Sequence, residues 1–278
     1  MDKSKTVCDI CPHHCALVDG QTGLCRARAA NGGHIISLSY GRLTSLALDP
    51  VEKKPFARWH SGHFIISVGS FGCNLRCPFC QNDTISQVGQ DAETETITPA
   101  ALVELAERYV PRGNVGIAFT YNEPLIGFEF VKDTATLAKE HGLATALVTN
   151  GYITQEKLCD ILPIIDAMNI DLKGWSDEYY RWLGGHIEPV KETIATAIES
   201  GCHVEVTTLI VPGKNDSESD MDEEAAWLAA LNKDTPLHIS RYFPRYHTMD
   251  IPATPTETVY RLADIARKHL TYVYTGNC

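Results

Sequence analysis

A chain of 278 residues with 44% apolar and 21% charged side chains has the size and composition of one large globular domain, or of one domain with a small appendage. Its net charge of −11 argues against a protein that binds nucleic acid or an acidic membrane through its overall field. No run reaches the apolar length of a membrane span and no apolar leader stands before Cys8, so a cytoplasmic protein without a membrane partner is the expectation.

Seven of the ten cysteines fall within the first eighty residues, in two tight groups. In a reducing compartment such grouping points to metal ligation and not to a disulfide framework. The first group, Cys8, Cys11 and Cys15 followed by Cys25, has the spacing CxxCxxxC, nine residues, Cys. Four thiolates make a closed set, for zinc or for an iron–sulfur cluster. Either would staple a lobe that lacks a core of its own, and an electron-relay cluster is the sharper alternative. The neighbouring His13 and His14 either replace one thiolate or are simply exposed.

Alternation over residues 35–48, with Gly41 in the middle, predicts short strands or a hairpin ended by Asp49-Pro50. Lys53 and Lys54 then either face an anionic ligand or form a solvated charge pair.

The second group lies in residues 70–82, directly after the apolar run at 64–68, with Cys73, Cys77 and Cys80 in the spacing CxxxCxxC. A strand that opens at Gly72 into a tight loop can aim three thiolates at one centre. Soft thiolates suit zinc or iron–sulfur clusters, and this loop supplies three ligands where a closed site needs four. A [4Fe-4S] cluster held here would keep one iron free of protein; the competing reading is a zinc knuckle completed from elsewhere.

Beyond the loop the pattern alternates between helix and strand. Thr98 is placed to cap a helix beginning at Pro99, and Thr254 one beginning at Pro255. Strands are predicted at 116–120, 144–149, 167–172, 203–211 and 237–243, with an edge run at 272–274. Helices are predicted at 128–140, 155–162, 177–182, 190–199, 220–231 and 255–269. Such alternation means a parallel sheet. With the strand at 64–68 it makes six strands, too few for an eight-fold barrel. The expected fold is therefore α/β, a partial (β/α)6 TIM-like barrel over residues 61–278 behind a Cys-rich metal-binding lobe and hairpin at 1–60.

Ligands of parallel α/β sheets sit beyond the carboxyl ends of the strands. The candidates there are Asn82, Glu123 before Pro124, Asn150 in Thr149-Asn150-Gly151, Asp171 and Lys173, and Gly213 in Val211-Pro212-Gly213. Alternation puts Asn169, Asp171 and Lys173 on one face, where burial is costly without a partner or a ligand. These residues contact a ligand, or Asp171 and Lys173 form an internal pair with none. Asn150 contacts a ligand or merely forms the turn. His238 is expected to be a satisfied core residue, Cys159 and Cys202 buried small apolar ones, and Cys278 either a mobile thiol or one near the mouth.

The loop, including Phe79 just before the third cysteine, resembles the signature of the radical S-adenosylmethionine (SAM) superfamily. That resemblance implies a [4Fe-4S] cluster on Cys73, Cys77 and Cys80, with SAM chelating the open iron. One electron, from a reductant such as flavodoxin or ferredoxin, splits SAM into methionine and a 5′-deoxyadenosyl radical that removes hydrogen from a substrate. Thr120-Tyr121-Asn122-Glu123 sits where the related pyruvate formate-lyase activating enzymes carry a Gly-Gly-Glu-type motif for the SAM ammonium, and departs from it in the first positions. The Thr-Asn-Gly, Asp-Leu-Lys and Val-Pro-Gly strings also resemble those activases, placing Lys173 by the SAM carboxylate, Asp171 by the ribose and Gly213 by the adenine. End to end, Cys8 to Cys15, Gly41-Arg42, Pro50 to Pro55, Cys80-Gln81-Asn82, Phe119 to Pro124 and Tyr272 to Asn277 resemble the AmmeMemoRadiSam-system subgroup. Three function classes follow: an enzyme acting on a small molecule or peptide, an activase of a glycyl-radical partner protein, or a non-catalytic zinc-stapled interaction module.

Overall fold

In the computed structural model, which describes residues 5–278, the chain opens with a short antiparallel pair, β1 (Thr6–Val7) and β2 (Ala16–Leu17). A hairpin follows, β3 (Arg28–Asn31) and β4 (His34–Ser37), turning on Gly32 and Gly33 at φ of 59° and 79°. A two-residue turn of this hand needs positive φ at both central positions, which glycine supplies without strain. Over residues 35–48 the first alternative forms, short strands: the second strand of this hairpin and, beyond Gly41, strands at Arg42–Leu43 and Ser45–Pro50 that end at Pro50 as expected, while no hairpin pairs across Gly41. Gly41 does something else: a Cβ there would stand 2.5 Å from the Ile97 carbonyl oxygen, so it lets two loops touch.

Next come β5 (Arg42–Leu43), β6 (Ser45–Pro50), β7 (Phe64–Gly69), α1 (Asp83–Ser86) and β8 (Glu95–Thr96), the last paired with β5. The regular alternation then runs α2 (Pro99–Arg108), β9 (Asn114–Phe119), α3 (Phe128–Glu140), β10 (Ala144–Thr149), α4 (Gln155–Ile161) and β11 (Ala167–Asp171). It continues through α5 (Asp177–Trp182), α6 (Glu188–Glu199), β12 (His203–Ile210), α7 (Glu218–Asn232), β13 (Leu237–Arg241), α8 (Thr256–Ala266) and β14 (Val273–Gly276). The main sheet has the order β6-β7-β9-β10-β11-β12-β13-β14, parallel throughout except for β6. The six predicted strands are its centre and the 272–274 run its parallel edge. The opposite edge, β6, comes from before residue 61. Among the described residues no helix is long and apolar enough to cross a membrane.

Thr98 caps α2 as predicted, accepting from the Ala101 N–H at 3.2 Å. Thr254 does not cap α8: buried, it donates to the Ile210 carbonyl at 2.6 Å and accepts from the Tyr242 N–H at 3.2 Å. Backbone groups stranded in the preceding loop have the stronger claim on a buried hydroxyl.

One face of the sheet buries Ile66, Val68, Ile117, Phe119, Leu147 and Ile170 under the helices. The other carries small residues, Ala118, Ala146 and Ala167, which leave room for Phe56 and Val51. That plug closes the amino end of the barrel. Glu205 holds it by accepting from the Ala57 and Arg58 N–H groups at 2.9 and 2.8 Å, and Asn169 by donating to the Pro55 carbonyl at 2.9 Å. His238 donates to Glu205 at 2.6 Å and is the satisfied core residue expected. Lys54 fits neither alternative offered for it: it is buried, 2.8 Å from Asp49 and 4.3 Å above the Tyr121 ring. Cys159 is exposed and not buried, because α4 turns Leu158 and Ile161 inward instead; Cys202 is partly buried. Cys278 is exposed beyond the edge strand.

Candidate active site at the carboxyl ends of the strands

With the amino end plugged, chemistry is left to the opposite end. Gly72 starts the cysteine loop at φ +86°, and a Cβ there would stand 2.4 Å from the Cys25 carbonyl oxygen. The loop thus lies directly on the first cysteine group. The Cys73 sulfur accepts from the Leu75 N–H at 3.3 Å and from Asn150 Nδ2 at 3.6 Å.

Burial pushes the Cys73 thiol well up and the Cys77 thiol to about 12, and it raises Cys80 as well. Cys77 and Cys80 also make Cys73 harder to ionise, and Cys80 does the same to Cys77; Lys173 works the other way on Cys77 and Cys80. Buried sulfurs that resist ionising together form a donor set that a cationic iron–sulfur centre would satisfy. Among the described residues no group of three or more His, Cys, Asp or Glu side chains is arranged to hold a metal ion.

Lys173 and Asp171 are on the same face as predicted, paired at 2.9 Å, with the lysine side chain only 16% exposed. The Lys173 carbonyl accepts from Asn215 Nδ2 at 2.7 Å and its N–H donates to the Tyr180 hydroxyl at 3.0 Å, which fixes the end of β11. The internal pair is real, and it stands beside Cys77.

Glu123 is buried, and its carboxylate accepts from the Leu125 N–H at 3.0 Å, the Thr149 hydroxyl at 2.7 Å and the Asn150 N–H at 2.7 Å. Those internal donors occupy most of its accepting capacity, so it ties the end of β9 to the end of β10. Burial raises its pKa to about 7 in spite of those three bonds. Asn150 makes a turn and more: its Nδ2 reaches both Cys73 and, at 2.9 Å, Asn74 Oδ1. Asn82 donates to the Tyr121 carbonyl at 2.7 Å. Gly213 stands apart, exposed in a turn at φ +69° that its N–H closes on Asp216.

Sequence reasoning passed over three residues. Tyr121 is held at φ +71° with its hydroxyl 2.6 Å from Asp49, a strained position that is over-determined by that network. Asn122 accepts from the Ser70 N–H at 2.9 Å and donates to the Phe71 and Gly72 carbonyls, so it moulds the entry to the cysteine loop. Asn74 donates to the Tyr152 carbonyl at 2.6 Å, and its own carbonyl accepts from His13 Nε2 at 2.7 Å. Asparagines beside a cysteine loop were the available signal, since they serve loop backbone from both ends of the amide.

The four cysteines of the first group line one enclosed cavity with Ile10, Leu17, Ile126 and Arg28. Arg28 is buried and grips Glu129 through two bonds of 2.8 and 2.6 Å.

A parallel half-barrel that closes its amino end and carries the three-cysteine loop, a lysine–aspartate pair and an asparagine network at the other end defines an α/β enzyme working at its strand ends. The model of the Radical SAM superfamily matches residues 67–228, and the chain belongs to that superfamily. Its members are enzymes that use a [4Fe-4S] cluster and SAM, which removes the non-catalytic interaction module from consideration. The chain is 42% identical over 280 residues to an uncharacterised protein of Methanocaldococcus jannaschii, covering all of this chain and 83% of that one. It is 31% identical over 155 residues to the pyruvate formate-lyase-activating enzyme of Clostridium pasteurianum, covering 54% of this chain and 63% of that enzyme. Among solved structures, Streptococcus suis SuiB bound to SAM superposes with a TM-score of 0.60 at 14% identity, over 77% of this chain and 52% of SuiB. A radical SAM methyltransferase from Sphaerobacter thermophilus gives 0.59 at 16% identity, over 77% and 66%. At such identities these two speak for the fold alone.

Proposed function

We propose that the protein is a radical SAM enzyme in which Cys73, Cys77 and Cys80 hold the [4Fe-4S] cluster. When loaded, that cluster supplies the electron that cleaves SAM to methionine and a 5′-deoxyadenosyl radical able to take hydrogen from a substrate. The observation that carries this reading is the set of three thiols of one loop, each made harder to ionise by burial, at the end of the first parallel strand, with Lys173 beside Cys77 and Cys80.

The chain's own residues orient and enclose. Lys173, aimed by Asp171, offers an ammonium to the SAM carboxylate, a charge-assisted contact. Asn150 and Asn82 offer amide groups at the ends of β10 and of the cysteine loop, and Gly213, whose N–H is taken by Asp216, leaves its exposed carbonyl side for the adenine. Glu123 acts through Asn150 and Thr149 and positions them. The first cysteine group holds a second metal centre, zinc or iron–sulfur, within a lobe assigned to residues 1–60. The enclosed four-thiol cavity supports this. The pattern of the chain supports the AmmeMemoRadiSam-system subgroup, a cytoplasmic setting and a flavodoxin- or ferredoxin-class reductant.

The experiment is anaerobic reconstitution with iron and sulfide, then dithionite and SAM, with 5′-deoxyadenosine measured. An intact cluster that yields none refutes the proposal. A second reading, that the hydrogen comes from a partner protein, is favoured by the identity to an activating enzyme. Capture of a glycyl-radical partner would decide for it.

A further inference from the structure

We propose that the Tyr179 hydroxyl donates a hydrogen bond to a sulfur of the cluster held by the loop of Cys73, Cys77 and Cys80, and so raises its reduction potential. This rests on the cluster assignment made above.

Four buried side-chain polar atoms lack any partner among the described residues, and the Tyr179 hydroxyl is one of them. The residue is 5% exposed. A buried hydroxyl left unpaired costs about 1–3 kcal/mol, a cost that disappears if a bound group supplies the acceptor. Its neighbour makes the contrast. Tyr180 is also buried, but its hydroxyl accepts from the Lys173 N–H at 3.0 Å.

The ring is held on several sides. It lies parallel to Phe79, the residue between Cys77 and Cys80, with centroids 6.4 Å apart and planes 12° apart. Trp182 packs on it at 5.5 Å. On the side of β11 it rests against Gly174, where a Cβ would stand 2.6 Å from the ring. The tyrosine is thus wedged between the cysteine loop and the end of the strand that carries Lys173. Phe79 is two residues from Cys77 and adjacent to Cys80 in the chain, so the orphan donor stands beside the cysteine loop.

Cluster sulfurs and their thiolates accept hydrogen bonds, and such bonds favour the more negative, reduced state. Removing one lowers the potential. Because the hydroxyl has no protein partner, Tyr179→Phe leaves the fold intact and relieves an unpaired polar atom in the metal-free chain.

The test is an EPR-monitored redox titration of the reconstituted full chain, wild type against Tyr179→Phe, without SAM. It follows the signal that a parallel sample shows to respond to SAM. The expected result is equal iron and sulfide per chain, a midpoint shifted to more negative potential, and a metal-free melting temperature equal to or above wild type. An unchanged or more positive midpoint overturns the assignment while the cluster reading stands. So does a shift that appears only with SAM bound, which would make SAM the acceptor. A destabilised metal-free variant also overturns it, because the hydroxyl would then have a protein partner. Absence of any cluster signal in wild type defeats the cluster reading, and this inference with it.

Discussion

Replacing Glu205 by glutamine should remove the main fastening of the barrel's closed end. The Glu205 side chain is 0% exposed and accepts from two backbone N–H groups, from His203 at 2.9 Å and from His238 at 2.6 Å. Burial alone would raise its pKa, but the two histidines and the two backbone donors outweigh burial and hold it at about 2, against 4.5 for a free glutamate. That gap corresponds to about 3 kcal/mol of stabilisation by the ionised form. The depressed pKa sets the sign: the contribution is complete above about pH 4.5 and is lost as pH falls toward 2. Glutamine presents one acceptor and an unwanted donor to the same four groups, so Glu205→Gln is expected to cost about 3 kcal/mol at pH 7. Wild type should approach the variant as the pH drops below 4. Urea unfolding of the metal-free chain, followed by far-UV circular dichroism at pH 7, 5 and 3, measures both effects. A variant within 1 kcal/mol of wild type at pH 7, or a difference that stays constant down to pH 3, would refute the assignment of stability to this ionised carboxylate.

Gly72→Ala should keep the barrel but lose most of the iron retained by the cysteine loop, since the new Cβ would meet the Cys25 carbonyl oxygen at 2.4 Å; iron per chain after reconstitution checks it. Lys173→Met removes the partner of Asp171 and should weaken SAM binding by at least about tenfold, roughly 1.4 kcal/mol, in anaerobic calorimetry on the cluster-loaded protein. Unchanged affinity would remove Lys173 from the SAM site. Arg28→Ala should loosen the first cysteine lobe by about 2 kcal/mol, a value discounted because Glu129 is 42% exposed, and speed loss of its metal to a chelator.

The parallel sheet was legible because its signals are local. Alternating apolar runs separated by helix starts, such as Thr98-Pro99, state the period wherever they occur, and the strands formed within a residue or two of the expected places. The cysteine spacing was legible for the same reason. The hairpin turn at Gly32-Gly33 carried a local signal as well, but the alternation around Gly41 drew the expectation away from it.

Long-range pairing was a different matter. Glu123 looked free to face a ligand, yet Thr149 and Asn150, from the next strand, take its carboxylate. Lys54 was expected either to face an anionic ligand or to be solvated in a linker, yet Asp49 and Tyr121 draw it inside. Asn74, Asn122 and Tyr179 carry no periodic signature at all; each is defined by what stands opposite it. By itself the sequence determined the element order, the class of fold and which thiols travel together, since these follow from spacing along the chain. Only the tertiary structure decided which polar groups are already satisfied and which are left waiting, since a hydrogen-bond partner is chosen in space by residues far apart in the chain.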